Sequence, residues 1–106
     1  LNKMYRVANL YPVGSDDYNR VLETAAAVYP NDPVANVNIA AVALRAGELA
    51  RAEVYLAHAG NSAEALNARG VLQLLKGNAD EARRLFQEAG SKEANDNLRL
   101  MEEMDK

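Results

Sequence analysis

The 106-residue chain is 49% hydrophobic and 25% charged, with no Cys, no Trp and one Phe, the composition of one globular domain or of one piece of a larger protein. A net charge of −3 argues against nucleic acid or an anionic lipid surface as partner, since both need a basic face. The lack of Cys removes disulfides, thiolate metal sites and Cys nucleophiles, and no apolar run approaches the roughly 18 residues of a membrane span.

The chain starts at Leu1 rather than Met and carries no signal or transit pattern, which predicts excision from a longer protein. The periodicity predicts seven helices and no strand. The first, about 2–11, leads into Pro12-Val13-Gly14-Ser15, the loosest connection. The second, about 16–29, opens on Asp16 and Asp17, acids that suit the positive end of a helix, and carries the stripe Tyr18, Val21, Leu22, Ala25. The third, about 33–46, is announced by Asp32-Pro33, an N-cap followed by Pro at the first helical position. Gly47 marks a tight turn into the fourth, about 48–59, with the stripe Ala52, Tyr55, Leu56, Ala59. Gly60 stands past its end, where a left-handed residue is wanted. Ser62 is the expected cap of the fifth helix, about 63–76. Gly77 marks the next turn, and Asn78 with Glu81 has the capping-box offset for the sixth, about 79–89. That helix bears Ala82, Leu85, Phe86 and Ala89 and ends at Gly90. Ser91 caps the seventh, about 92–104. Its Leu98 and Met101, with Leu100, are placed to cover the end of the Phe86 helix, while Leu100 and Met104 form a different stripe that suits self-association.

Two stretches of the chain superpose. At an offset of 30, Ala35 meets Ala65, Leu44 meets Leu74, Gly47 meets Gly77, Ala52 meets Ala82, Leu56 meets Phe86, and Ala59-Gly60 meets Ala89-Gly90. At an offset of 34, Leu22 meets Leu56 and Ala25 meets Ala59. A period of this size marks a helical repeat array.

The pattern resembles the tetratricopeptide repeat. Ala40, Ala52, Leu56 and Ala59 occupy the motif positions of one unit, and Gly70, Ala82, Phe86 and Ala89 those of the next. Tyr18, Leu22, Ala25 and Pro30 look like the back half of an earlier unit. Departures are Asn36 and Leu66 at the Trp-like position, Ala43 and Gln73 at the Tyr-like position, Tyr18 where Ala is usual, and a Gly60-Asn61-Ser62 joint shorter than usual and lacking Pro. The resemblance covers about residues 16–90. It implies an all-α fold, a right-handed superhelix of about three hairpins (1–30, 33–60, 63–90) with a capping helix over 91–106, all in one domain. It also implies that the first helix of each pair lines a concave face. That face would carry Val34, Val37, Asn38, Ala41 and Arg45, then Glu64, Asn67, Val71 and Leu75, a strip suited to a peptide or a partner helix. Asn38 and Asn67 stand out, because a mid-helix amide that caps nothing is locally unfavourable. The carboxylate-gripping role of some family members does not transfer, since Glu64 and Ala68 stand where basic groups are needed. The stretches "YPVGSDDY" and "YPNDPVANVNIA" are also similar to helical-repeat tails of Bacteroidetes cell-envelope proteins. That likeness implies a location on the periplasmic side of a bacterial envelope, with the cytoplasm as the alternative.

Catalytic chemistry finds little support in the residues. His58 is the lone His and falls on the polar side of its helix. Asp16 and Asp17 lack the further oxygens of a calcium loop. The glycines sit at repeat spacing, with no Gly-Lys-Ser/Thr after any of them. Arg83 and Arg84 lie among Asp80, Glu81 and Glu88, as on a solvated face with helical ion pairs. Tyr5, Tyr11, Tyr18 and Tyr29 cluster early, either as an aromatic patch or as filler where a regular repeat is missing. The expectation is a non-enzymatic interaction module for a protein or peptide, without cofactor or metal, and with neither nucleic acid nor membrane insertion. The alternative is a structural spacer or oligomerisation domain.

Overall fold

A computed structural model describes residues 2–105; the bounds expected at Leu1 and Lys106 lie outside them. The fold is all-α. Among the described residues there are seven helices: α1 (Asn2–Ala8), α2 (Asp16–Val28), α3 (Pro33–Arg45), α4 (Leu49–Leu56), α5 (Ala63–Leu75), α6 (Ala79–Ala89) and α7 (Lys92–Met104). The chain divides into two compact units, Leu1–Ala59 and Gly60–Lys106, parting at the short Gly60-Asn61-Ser62 joint.

Capping decides where most helices begin. Ser15, Asp32, Ser62 and Ser91 each hold extended backbone and accept from the amide three residues on, in Tyr18, Ala35, Ala65 and Ala94. Each such bond satisfies a donor the helix cannot, and losing one costs about 1 kcal/mol. Asn78 departs from its expected role. Its side chain makes no capping bond; its Nδ2 donates instead to Gln73 Oε1 at 2.8 Å, tying the start of α6 to the end of α5.

Two helices are shorter than the periodicity predicts. After Ala8 the chain tightens into three-residue turns, with Leu10 N bonded to Val7 O and Tyr11 N to Ala8 O. Pro12 then disfavours helical backbone before it. After Leu56 the same tightening occurs, with His58 N on Tyr55 O and Ala59 N on Leu56 O. The turns after α3 and α5 are alike in detail. Gly47 N bonds Leu44 O and Glu48 N bonds Ala43 O; Gly77 N bonds Leu74 O and Asn78 N bonds Gln73 O. This is the Schellman closure, and it needs the positive φ that Gly47 (74°) and Gly77 (87°) supply.

In the first unit α1 packs on α2, α2 on α3 and α3 on α4. Its core gathers Ala8, Leu22, Ala26, Ile39 and Val42, with Tyr5, Tyr18, Val21 and Tyr55 half-buried around them. Three of the five tyrosines are therefore packing residues, whereas Tyr11 and Tyr29 lie at the surface. Arg51 of α4 lies over the Tyr55 ring and donates to Glu23 of α2 at 3.0 Å.

In the second unit α5 packs on α6 and α6 on α7. Phe86 is fully buried, with Ala82, Ala94 and Met101 around it and Val71, Leu74, Ala89 and Leu98 at the margin. The α7 stripe thus covers the Phe86 helix as the spacing predicts, except that Leu100 turns outward with Met104. The closest fit is at Gly70 of α5. A Cβ built there would lie 2.4 Å from Phe86 Cε1 and 2.6 Å from Cδ1, so the ring occupies the space a side chain would need.

Replacing Gly70 by Ala brings a helix-propensity gain of up to about 1 kcal/mol against an overpacking cost of about 1–3 kcal/mol. The ring is enclosed and the cost prevails. Gly70→Ala will lose about 1 kcal/mol in urea unfolding, and the loss will shrink when Phe86 is Leu, giving a favourable coupling in the double-mutant cycle. A Gly70→Ala variant more stable than wild type would show that the ring moves aside.

Candidate functional site

The strip expected on the first helices is traced most clearly on α3. Ala35, Asn36, Ile39, Ala40, Val42 and Ala43 are buried. Val34, Val37, Asn38, Ala41 and Arg45 recur at helical spacing along another face. Val34 is 55% exposed, Arg45 is exposed, and Val37, Asn38 and Ala41 are half-buried. This apolar line, with one amide and one cation at its end, is only partly covered by the first unit.

The corresponding face of α5 is taken up differently. Glu64 is exposed and Leu75 is at the surface. Val71 packs at the margin of the Phe86 cluster. Asn67 Oδ1 accepts from Asn97 Nδ2 of α7 at 2.9 Å. The mid-helix amide singled out in the sequence is thus answered from within its own unit. Asn97, thirty residues on, was not marked by the sequence pattern, because a pair this far apart leaves no local trace.

Asn38 has a neighbour too. The Tyr5 hydroxyl of α1 is buried and makes no hydrogen bond of good geometry among the described residues. Burial pushes its pKa above the ordinary tyrosine value; the nearby Asn38 amide partly offsets the rise, and the Asp32 carboxylate adds to it. Asn36, two residues earlier, is the buried polar residue of α3, 3% exposed. Its Nδ2 donates to Pro30 O at 3.0 Å and Asp32 O at 2.8 Å. It locks the corner between α2 and α3.

The charged clusters are surface pairs. Arg84 bonds Glu81 at 2.6 Å and Glu88 at 3.0 Å, and the guanidinium holds Glu81 below the usual carboxylate range. Arg83 bonds Asp80 at 3.2 Å and reaches Asp105 at 3.3 Å. His58 is exposed. No group of three or more His, Cys, Asp or Glu suited to a metal occurs among the described residues. No helix there is long and apolar enough to cross a membrane. A shallow cleft of about 310 Å³, which no local sequence pattern marks, is lined by Met4, Val7, Arg20, Val21 and Thr24. Met4 and Val7 lie one turn apart on α1, and Val21 and Thr24 one turn apart on α2.

Comparison of the chain with protein-family models, with curated proteins and with solved structures gave no match.

Tyr5 gives this region a testable pH dependence. A phenol whose folded pKa is raised contributes stability that is fully present below the unfolded value near 10, and that stability is lost as pH rises through the folded value. Urea unfolding followed from pH 8 to 11 will show stability falling from about pH 10 upward, and Tyr5→Phe will flatten that fall. An unchanged alkaline slope in Tyr5→Phe would place the titration elsewhere.

Proposed function

We propose that this chain is a tetratricopeptide-like protein-interaction module, without catalysis, that binds a peptide or partner helix along the Val34–Arg45 face of α3. The observation that carries the reading is that apolar strip, left partly open on a helix whose other face is packed. Val34, Val37 and Ala41 offer shallow apolar contact, Asn38 an amide and Arg45 a cation. That combination suits an amphipathic helix or an extended segment with an acidic side chain opposite Arg45.

The repeat assignment is supported by the burial of its motif positions. Ala40, Ala52, Leu56 and Ala59 are buried, as are Gly70, Ala82 and Phe86, with Ala89 half-buried. The α3/α4 and α5/α6 hairpins are closed by the same short Schellman turn. The finer part of the proposal is that these hairpins continue one another in a right-handed superhelix. The Asn67–Asn97 bond shifts weight within the expected face: on α5 the amide serves internal packing, so recognition falls mainly to α3.

The test is selection from a displayed peptide library. Wild type will enrich ligands in the micromolar range, the scale of shallow grooves. Val34→Asp with Arg45→Glu changes two exposed side chains, so the unfolding midpoint will hold while affinity falls at least about tenfold, near 1.4 kcal/mol. Failure to enrich any ligand, or equal binding by the double variant, would remove the α3 face as the site.

A further inference from the structure

The two terminal helices carry complementary surfaces that the proposed peptide face does not use. On the first unit, the α1/α2 cleft of about 310 Å³ is lined by Met4, Val7, Val21 and Thr24, with Arg20, paired to Asp17 at 3.6 Å, beside them. Beside its lining residues α1 carries Lys3 and Arg6 at exposed positions, and residues 2–14 hold these two basic groups and no acid; on α2, Asp17 is paired with Arg20 and Glu23 with Arg51. On the second unit, α7 presents Leu100 at 55% exposure and Met104 at 70%, away from its buried Ala94 and Met101. Residues 92–105 hold five acids against two bases. Asp96 pairs with Lys92 and Arg99, and Asp105 with Arg83, which leaves Glu93, Glu102 and Glu103 to set the sign of the surface.

We infer that the α1/α2 cleft receives Leu100 and Met104 of a second copy of this chain, so that copies associate head to tail. Apolar side chains on one surface match an apolar cleft on the other, and the basic rim of the cleft meets the acidic rim of α7. Cleft against cleft would oppose Lys3 and Arg6 to themselves; α7 against α7 would oppose carboxylates. Like-charge juxtaposition of that kind suppresses wrong pairings, and rim charge chiefly sets orientation and encounter rate. The contact is heterologous, so it propagates unless a rotation closes it. It is also small, and association on the order of 0.1 mM is expected.

Sedimentation velocity of the full chain over a concentration series tests this. Wild type will gain mass with concentration, less so at high salt, where rim charges are screened. Met104→Glu and Val7→Glu, both at exposed positions, will weaken association at least about tenfold with unchanged helicity by circular dichroism. The charge swaps are more specific. Lys3→Glu with Arg6→Glu, and separately Glu102→Lys with Glu103→Lys, will each weaken self-association, most at low salt. An equimolar mixture of the two will regain it, because the reversed cleft then fits the reversed helix. A wild type that stays monomeric to about 1 mM, a closed two-fold dimer, indifference to Met104→Glu, or a mixture that fails to recover would each overturn the inference.

Discussion

The missing side chain at Gly70 is the constraint on which the second unit depends. With no Cβ there, α6 comes close enough for the Phe86 ring to lie against the α5 backbone, and α7 then closes over the ring with Ala94, Leu98 and Met101. The matched positions of the first unit, Ala40 and Leu56, are also buried. Where the second helix gains a ring, the first gives up a methyl. Total volume at the crossing changes little, and volume-conserving exchanges are the ones a packed interior tolerates. The offset of 30 in the sequence is thus a packing rule written twice with different residues.

Polar groups in these hairpins fix corners and ends more than they supply chemistry. Asn36 fastens the Pro30–Asp32 corner, Asn78 links to Gln73, Asn67 to Asn97, and four capping residues set where helices start. Each contributes on the order of 1 kcal/mol. Together they select one register among the many that an alanine-rich helix could adopt, because small smooth faces slide past one another with little steric discrimination. Surface ion pairs such as Arg84–Glu81 are exposed to solvent and screened, and leave the fold to the caps and the core.

Local signals made much of the fold legible. Ser62, Ser91 and Asp32 announce helix starts because a cap needs only its own amide three residues on. The stripes announce buried faces because their period is set by one helix. What escaped the sequence lies between elements. Asn67 looked like a groove amide because its partner is thirty residues away. Asn78 had capping-box spacing, yet Gln73 claimed its side chain. α1 and α4 end short of the periodic stretch because alanine and leucine continue the period into residues whose backbone has already tightened. The α3 face was legible as a stripe, whereas the α1/α2 cleft needed two helices at once.

Twelve of the twenty buried hydrophobic residues among those described are alanines. A methyl-rich interior releases little hydrocarbon to water when it opens, and the heat-capacity increment of unfolding scales with that apolar area. The stability curve of this chain will therefore be broad and shallow. Its resistance to cold will exceed what its size alone suggests, because weakening of the hydrophobic term on cooling acts on a small share of its cohesion.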